Sequence, residues 1–217
     1  MSSFLDQLWL ARSSILEGFA LTLVASAVSI VLGTILGFLV GMALVYGGRI
    51  ARILCRIYVD VMRGTPVLVL VLAAFYVPVV IGLRLGPFTA GLVALTLFCG
   101  SHVAEIVRGA LQAIPRGQTE AARAIGLTFP QILAYVLLPQ ALRSILPTWI
   151  NTGVELVKAS TLLSVIGVGE LLLKTQEIVG RNFMTLQFYL FAGCLYLLVN
   201  FAIERLGKFV ERKVAFR

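Results

Sequence analysis

The chain has 217 residues, 59% of them apolar and only 13% charged, with a mean hydropathy of +0.99. A soluble domain carries about 45–50% apolar and about 25% charged residues, so this chain cannot cover a water-facing surface and a soluble fold is excluded. Its net charge of +8 fits either nucleic-acid binding or membrane topology, and the positions of the 18 bases decide between them.

At the N-terminus, Phe4, Leu5, Leu8 and Trp9 oppose Asp6 and Arg12, which predicts a short helix lying at a membrane interface over residues 1–17. A membrane-crossing helix needs about 20 mostly apolar residues, and five such runs follow, at 19–46, 66–83, 88–103, 141–168 and 186–203. The first is longer than the apolar core of a secretory leader and is preceded by acids, so no cleaved leader is expected. It carries Gly33, Gly37 and Gly41, a small-residue ridge suited to close helix packing. Pro66, Pro78 and Pro147 are expected to kink their helices or free backbone groups toward a cavity.

Cytoplasmic loops hold the excess of Lys and Arg. With the N-terminus outside, 13 bases fall inside: Arg49, Arg52, Arg56 and Arg63; Arg108, Arg116, Arg123 and Arg143; and Arg205, Lys208, Arg212, Lys213 and Arg217. Arg12, Arg84, Lys174 and Arg181 fall outside, where Asp6, Glu17, Glu170 and Glu177 balance them. The charge therefore reports topology and an anionic lipid surface, and no nucleic-acid partner is expected.

Residues 105–143 form the least membrane-like stretch. Pro115 and Gly117 end the third span. A short helix follows at Glu120-Ala121-Ala122-Arg123-Ala124-Ile125, capped by Gln118 or Thr119 and stopped at Gly126. A second piece covers 131–138 and is broken by Pro139. Together these predict a two-helix knob that fits a groove on a soluble partner.

The polar positions of the fourth span share one face. Thr148, Asn151, Glu155 and Lys158 follow at steps of three, four and three, with Thr152 adjoining. One reading is an interior Glu155–Lys158 ion pair that fixes helix packing. The other is a cavity wall for a zwitterion, with Glu155 or Asn151 toward the ammonium and Lys158, Ser160 or Thr161 toward the carboxylate. His102 reads as a hydrogen-bonded packing residue, Glu105 and Arg108 as a helix-surface pair, and Cys55, Cys99 and Cys194 as packing residues without disulfide or metal spacing. No phosphate-binding glycine loop occurs.

Glu120-Ala121-Ala122, Gly126, Val136 and Leu138-Pro139 resemble the EAA signature of permease subunits of ABC importers, Val136 standing where the family often has Ile. The resemblance extends through Arg63-Gly64-Thr65-Pro66, Ala104 to Gly109, Ile114 to Gln118, Leu138 to Ala141, and Ser164 to Val168 with Glu170-Leu171, and looks like the polar amino-acid branch. It implies an all-α membrane protein with five core transmembrane helices, an N-terminal interfacial helix and cytoplasmic coupling helices. The ABC type-1 transmembrane domain would cover 18–208, with the coupling loop at 115–140 and a basic tail at 209–217.

It further implies a permease without its own ATPase site, with ATP and Mg bound by partner ATP-binding subunits and no cofactor in this chain. The implied partners are a second permease subunit, a periplasmic or lipid-anchored solute-binding protein, membrane lipids and an amino-acid substrate. By the same resemblance Glu120, Ala121, Ala122, Arg123 and Gly126 couple to the ATPase, and substrate contacts cluster near Lys158, Ser160 and Thr161. Ala159 stands where related sequences commonly carry Asp, which points to a heterodimer whose other subunit holds that carboxylate. Localisation in the cell inner membrane follows. The rival readings are an ion-coupled amino-acid carrier using Glu155 and His102, and a membrane anchor or assembly protein without a path.

Overall fold

The computed structural model describes residues 3–215, with side chains through residue 213; Arg217 of the expected basic tail lies outside the described residues. Among the described residues, nine α-helices carry the fold. Helix α1 (Phe4–Tyr46) runs unbroken for 43 residues, about 64 Å at 1.5 Å per residue, roughly twice the hydrocarbon thickness of a bilayer. The expected N-terminal helix is therefore the first part of α1 and not a separate element. No proline or glycine pair interrupts residues 3–17, and Ser3 and Asp6 cap the start reciprocally, with the Ser3 N–H donating to the Asp6 carboxylate at 3.0 Å. Phe4 and Leu8 turn inward, Phe4 lying edge-on to Phe188 at 5.3 Å, whereas Leu5 and Trp9 are exposed. The apolar face thus splits between bundle and surroundings.

After Gly47-Gly48, α2 (Arg49–Gly64) and α3 (Val67–Val80) meet at 112°. The bend sits at Thr65-Pro66: Thr65 is extended, at φ −104° and ψ 134°, because a following proline disfavours helical geometry. Helix α3 has 14 residues, about 21 Å, so the second crossing is shorter than the apolar run that predicted it. Helix α4 (Pro87–Gln112) follows Gly86-Pro87 and is the most enclosed element.

Helix α5 (Arg116–Ala124) is the short helix of the expected inner loop. It begins at Pro115, about a turn before the expected caps Gln118 and Thr119, since proline's fixed φ suits a helix start. The next expected break, at Pro139, does not occur. Helix α6 (Phe129–Ile132), a π-helical turn (Leu133–Leu137), α7 (Leu138–Ala159) and a 3₁₀ segment (Ser160–Ile166) form one rod of 38 residues. The wider π turn, closed by the Leu138 N–H on the Leu133 carbonyl, places Pro139 in the first turn of α7, where its missing N–H breaks no bond. The inner loop therefore holds one free-standing helix, and the second expected piece is the foot of the rod. Helices α8 (Leu171–Asn182) and α9 (Thr185–Ala215) complete the chain. Four helical stretches, α1, α4, the rod and α9, are long and apolar enough to cross a membrane, and counting the bent α2–α3 pair as one broken span makes five.

The frame rests on α1 against α4. Gly33, Gly37 and Gly41 are buried on one edge of α1. A Cβ on Gly37 would stand 2.5 Å from Val103 Cβ and 2.6 Å from the Gly100 carbonyl oxygen, and one on Gly33 would strike Cys99. The expected ridge is thus a backbone-to-backbone approach, and buried Cys99 packs into it. Trp149 Nε1 donates to Thr34 Oγ1 at 2.8 Å, tying α7 to the same helix.

Gly37→Ala should destabilise the protein by about 1–3 kcal/mol, the usual cost of overpacking, despite alanine's better helix propensity. A Cβ on Gly193 of α9 meets nothing within 4 Å, so Gly193→Ala should be neutral or stabilising. Thermal melting of the two variants in detergent checks this ordering, and equal melting temperatures contradict the close approach.

Candidate functional site

Helix α7 buries one face and leaves the other open. Thr152, Gly153, Val154, Leu156, Val157 and Ala159 are buried, whereas Thr148, Asn151, Glu155 and Lys158 are exposed on a continuous stripe. The shared face read from the spacing exists, but it looks out of this subunit and not into its bundle. Among the described residues neither Glu155 nor Lys158 has an ion-pair partner. The packing reading, an internal Glu155–Lys158 bridge, is thereby overturned: the bundle is already filled by the apolar opposite face, so neither charge is drawn inside.

The two hydroxyls expected beside them separate from the stripe. Ser160 is fully buried and its hydroxyl donates to the Val157 carbonyl at 2.7 Å. Thr161 is part-buried and donates to the Lys158 carbonyl at 2.7 Å. Ser160 lies two residues past Lys158, about 200° further round the helix, which puts it on the buried side with Leu156 and Val157. Asn151, Glu155 and Lys158 remain as the polar set, and Ser160 leaves it.

Helix α5 presents Glu120, Ala121 and Arg123 to solvent, with Ala124 and Ile125 beside them and Ile125 77% exposed. Ala122 faces the opposite way and sits in the main core with Ile132 and Leu137. It anchors the helix and offers no partner surface. Gly126 adopts φ +82°, and the helix closes with the Gly126 N–H on the Arg123 carbonyl at 2.9 Å and the Leu127 N–H on the Ala122 carbonyl at 3.1 Å. This is a Schellman closure, in which glycine takes the left-handed position without strain. Gln140 Nε2 donates to the Val136 carbonyl at 2.7 Å and reaches Gln118 Oε1 at 3.4 Å, so α5 is fastened to the foot of the rod that carries the stripe.

Two polar hubs escaped the sequence reading. Glu105 is no simple surface pair with Arg108: its carboxylate accepts from Arg56 Nη1 at 2.7 Å and from Arg108 Nη2 at 2.5 Å, with Arg63 at 4.0 Å. The hub ties α2 to α4 across 49 residues of sequence, and only the arginine periodicity of α2 hinted at it. Glu170 is fully buried, not an outer surface acid that cancels bases. It caps α8, accepting from the Leu172 and Leu173 N–H groups at 2.9 and 2.8 Å and from the Tyr196 hydroxyl at 2.8 Å. Burial pushes its carboxyl above the usual range, and the backbone N–H donors and Tyr196 pull against that shift. A capping position followed by an apolar run, Glu170-Leu171-Leu172-Leu173, was the available signal. His102 Nδ1 lies 3.0 Å from the Phe98 carbonyl and its ring packs tilted at 50° to that of Phe98, centroids 4.3 Å apart, the packing role expected for it.

Comparison with known proteins places this geometry. The chain is 35% identical over 209 residues to the glutamine transport system permease protein GlnP of Escherichia coli (strain K12), covering 95% of each chain. It is 35% identical over 201 residues to the arginine transport system permease protein ArtQ of Bacillus subtilis (strain 168), covering 92% of each. Its structure superposes on the crystal structure of an amino acid ABC transporter with histidines at a TM-score of 0.89 and 28% identity, over 98% of this chain and 99% of that one. An inward-facing form of the MetNI methionine ABC transporter matches at 0.73 and 27%, over 99% of both chains. The profile of the binding-protein-dependent transport system inner membrane component matches residues 13–216, and the chain belongs to that family.

Proposed function

We propose that this chain forms half of the translocation path of an ATP-driven importer for a polar or charged amino acid. The observation that carries the proposal is the α7 stripe: Asn151, Glu155 and Lys158 exposed and unpaired on a membrane helix whose other face is core. An ionised side chain facing lipid costs about 2.5–3.5 kcal/mol on insertion scales, so the stripe belongs against water or a second polar surface. A second permease subunit apposed along α7 supplies both. Glu155 then complements a substrate ammonium and Lys158 a substrate carboxylate, a pairing that suits a zwitterion and is supported by the glutamine, arginine and methionine transport named for similar proteins.

Ala159 is buried and brings no carboxylate to the path, which favours a heterodimer whose other subunit provides one. The N-terminus lies outside and the C-terminus in the cytoplasm of the inner membrane, a reading supported by the excess of bases on cytoplasmic loops, since Arg49 to Arg63, Arg116, Arg123 and the α9 terminus then share the inner side. Cytoplasmic ATP-binding subunits, which bind ATP and Mg, dock on α5 through Glu120, Ala121, Arg123 and the exposed Ile125. A solute-binding protein delivers substrate from outside. The fastening of α5 to the rod transmits the closure of the ATPases to α7.

Glu155→Ala in proteoliposomes should raise the KM for glutamine or arginine about tenfold or more, the worth of a lost charged hydrogen bond, with assembly unchanged. Unaltered uptake would leave the stripe without a role in transport. For the lever, Gly126→Asp and Glu120→Lys should each abolish uptake and copurification of the ATPase while membrane insertion persists. Gly126→Asn should be milder than Gly126→Val, because asparagine tolerates the left-handed position. Normal uptake in all of them contradicts the coupling assignment.

A further inference from the structure

We propose that the cleft between the inner end of α1, α2 and α4 binds the phosphodiester headgroup of an anionic inner-leaflet phospholipid. The sequence of α2 sets two adjoining faces. Ile50, Ile53, Leu54, Ile57 and Val61 are all more than half exposed, and Arg49, Arg52, Arg56 and Arg63 lie beside them at helical spacing. A helix with this division lies in the membrane interface, and the 112° bend into α3 turns α2 away from the direction of that crossing. The cleft, of about 450 Å³, opens beside it between the guanidinium groups of Arg52, Arg56 and Arg108 and the apolar walls of Leu44, Ile53 and Ile57.

The charges are not internally cancelled. Arg56 and Arg108 share the single carboxylate of Glu105, Asp60 stands 3.7 Å from Arg56, and Arg63 reaches Glu105 only at 4.0 Å. Arg52 donates to the Gly47 carbonyl at 3.2 Å and among the described residues has no acidic partner. Four guanidinium groups therefore face two carboxylates, and planar five-donor forks suit a phosphate better than water alone. The apolar half selects the source. Isoleucines flank the cleft where a phosphate's acyl chains would run, whereas a free anion has no use for them, and basic pockets beside membrane helices on the cytoplasmic side suit such headgroups. The placement in the inner leaflet rests on the topology proposed above.

The test uses the assembled permease–ATPase complex in nanodiscs, with spin-labelled phosphatidylglycerol and phosphatidylcholine as probes read by electron paramagnetic resonance. The wild-type complex should retain phosphatidylglycerol in preference to phosphatidylcholine. Arg52→Gln should lower that preference about fivefold, Arg52→Lys should keep most of it, and millimolar inorganic phosphate should leave it intact. No preference in the wild type, or an unchanged preference in Arg52→Gln, overturns the site; so does displacement by inorganic phosphate, which marks a free-anion site. A preference that appears only after the ATPase is stripped away assigns the face to that protein and equally overturns the proposal. Nanodiscs carry the same lipid in both leaflets, so the result does not depend on orientation. Protease access to a C-terminal tag in sealed vesicles tests the topology separately.

Discussion

A charged side chain on a membrane helix must find water, a counter-charge or another protein, and this constraint governs how the chain is built. Helix α7 carries Asn151, Glu155 and Lys158 along a face with no internal partner. Its opposite face is filled by Leu156, Val157, Val154 and Gly153. Over this stretch α7 is therefore apolar where it packs on the subunit and polar where it is open. A lone subunit in lipid would leave that stripe against hydrocarbon, so the fold makes sense as one wall of a shared path.

The rest of the bundle holds that wall at a fixed position. The glycine edge of α1 lets α4 approach to backbone distance, Trp149 fastens α7 to Thr34 of the same helix, and the buried Glu170 joins α8 to Tyr196 of α9. These contacts leave α5 and the foot of the rod exposed at one end of the bundle. Ala122 sits in the core and Gln140 reaches across to Gln118, so α5 is joined to the helix that carries the stripe. The same end gathers Arg56 and Arg63 of α2 around Glu105 of α4, which ties the first half of the bent pair to the frame.

Much of this was legible in the sequence, for physical reasons that can be named. Long apolar runs, the glycine ridge and the αL stop at Gly126 are local signals, and each appears in the structure. The failures come where local rules compete with tertiary context. Pro139 is a helix breaker by rule, yet the π turn before it lets the rod continue. Ser160 lies two residues past Lys158 and so falls on the buried face of the helix, away from the stripe. Glu105 and Glu170 find their partners 49 and 26 residues away, distances over which side-chain spacing carries no information. Ala122 belongs to the signature that marks the coupling helix, but its side chain serves the core.

The central claim is that the α7 stripe lines an aqueous path whose access changes with the state of the ATPase. Cysteine reactivity tests it directly. With Cys55, Cys99 and Cys194 replaced by alanine, single cysteines at positions 151 and 155 are exposed to a charged, membrane-impermeant maleimide in the assembled complex, with and without nucleotide trapped by vanadate. The account predicts that both positions react from the aqueous phase and that their rates differ between the two states. Labelling by a lipid-soluble maleimide alone, in either state, would contradict it.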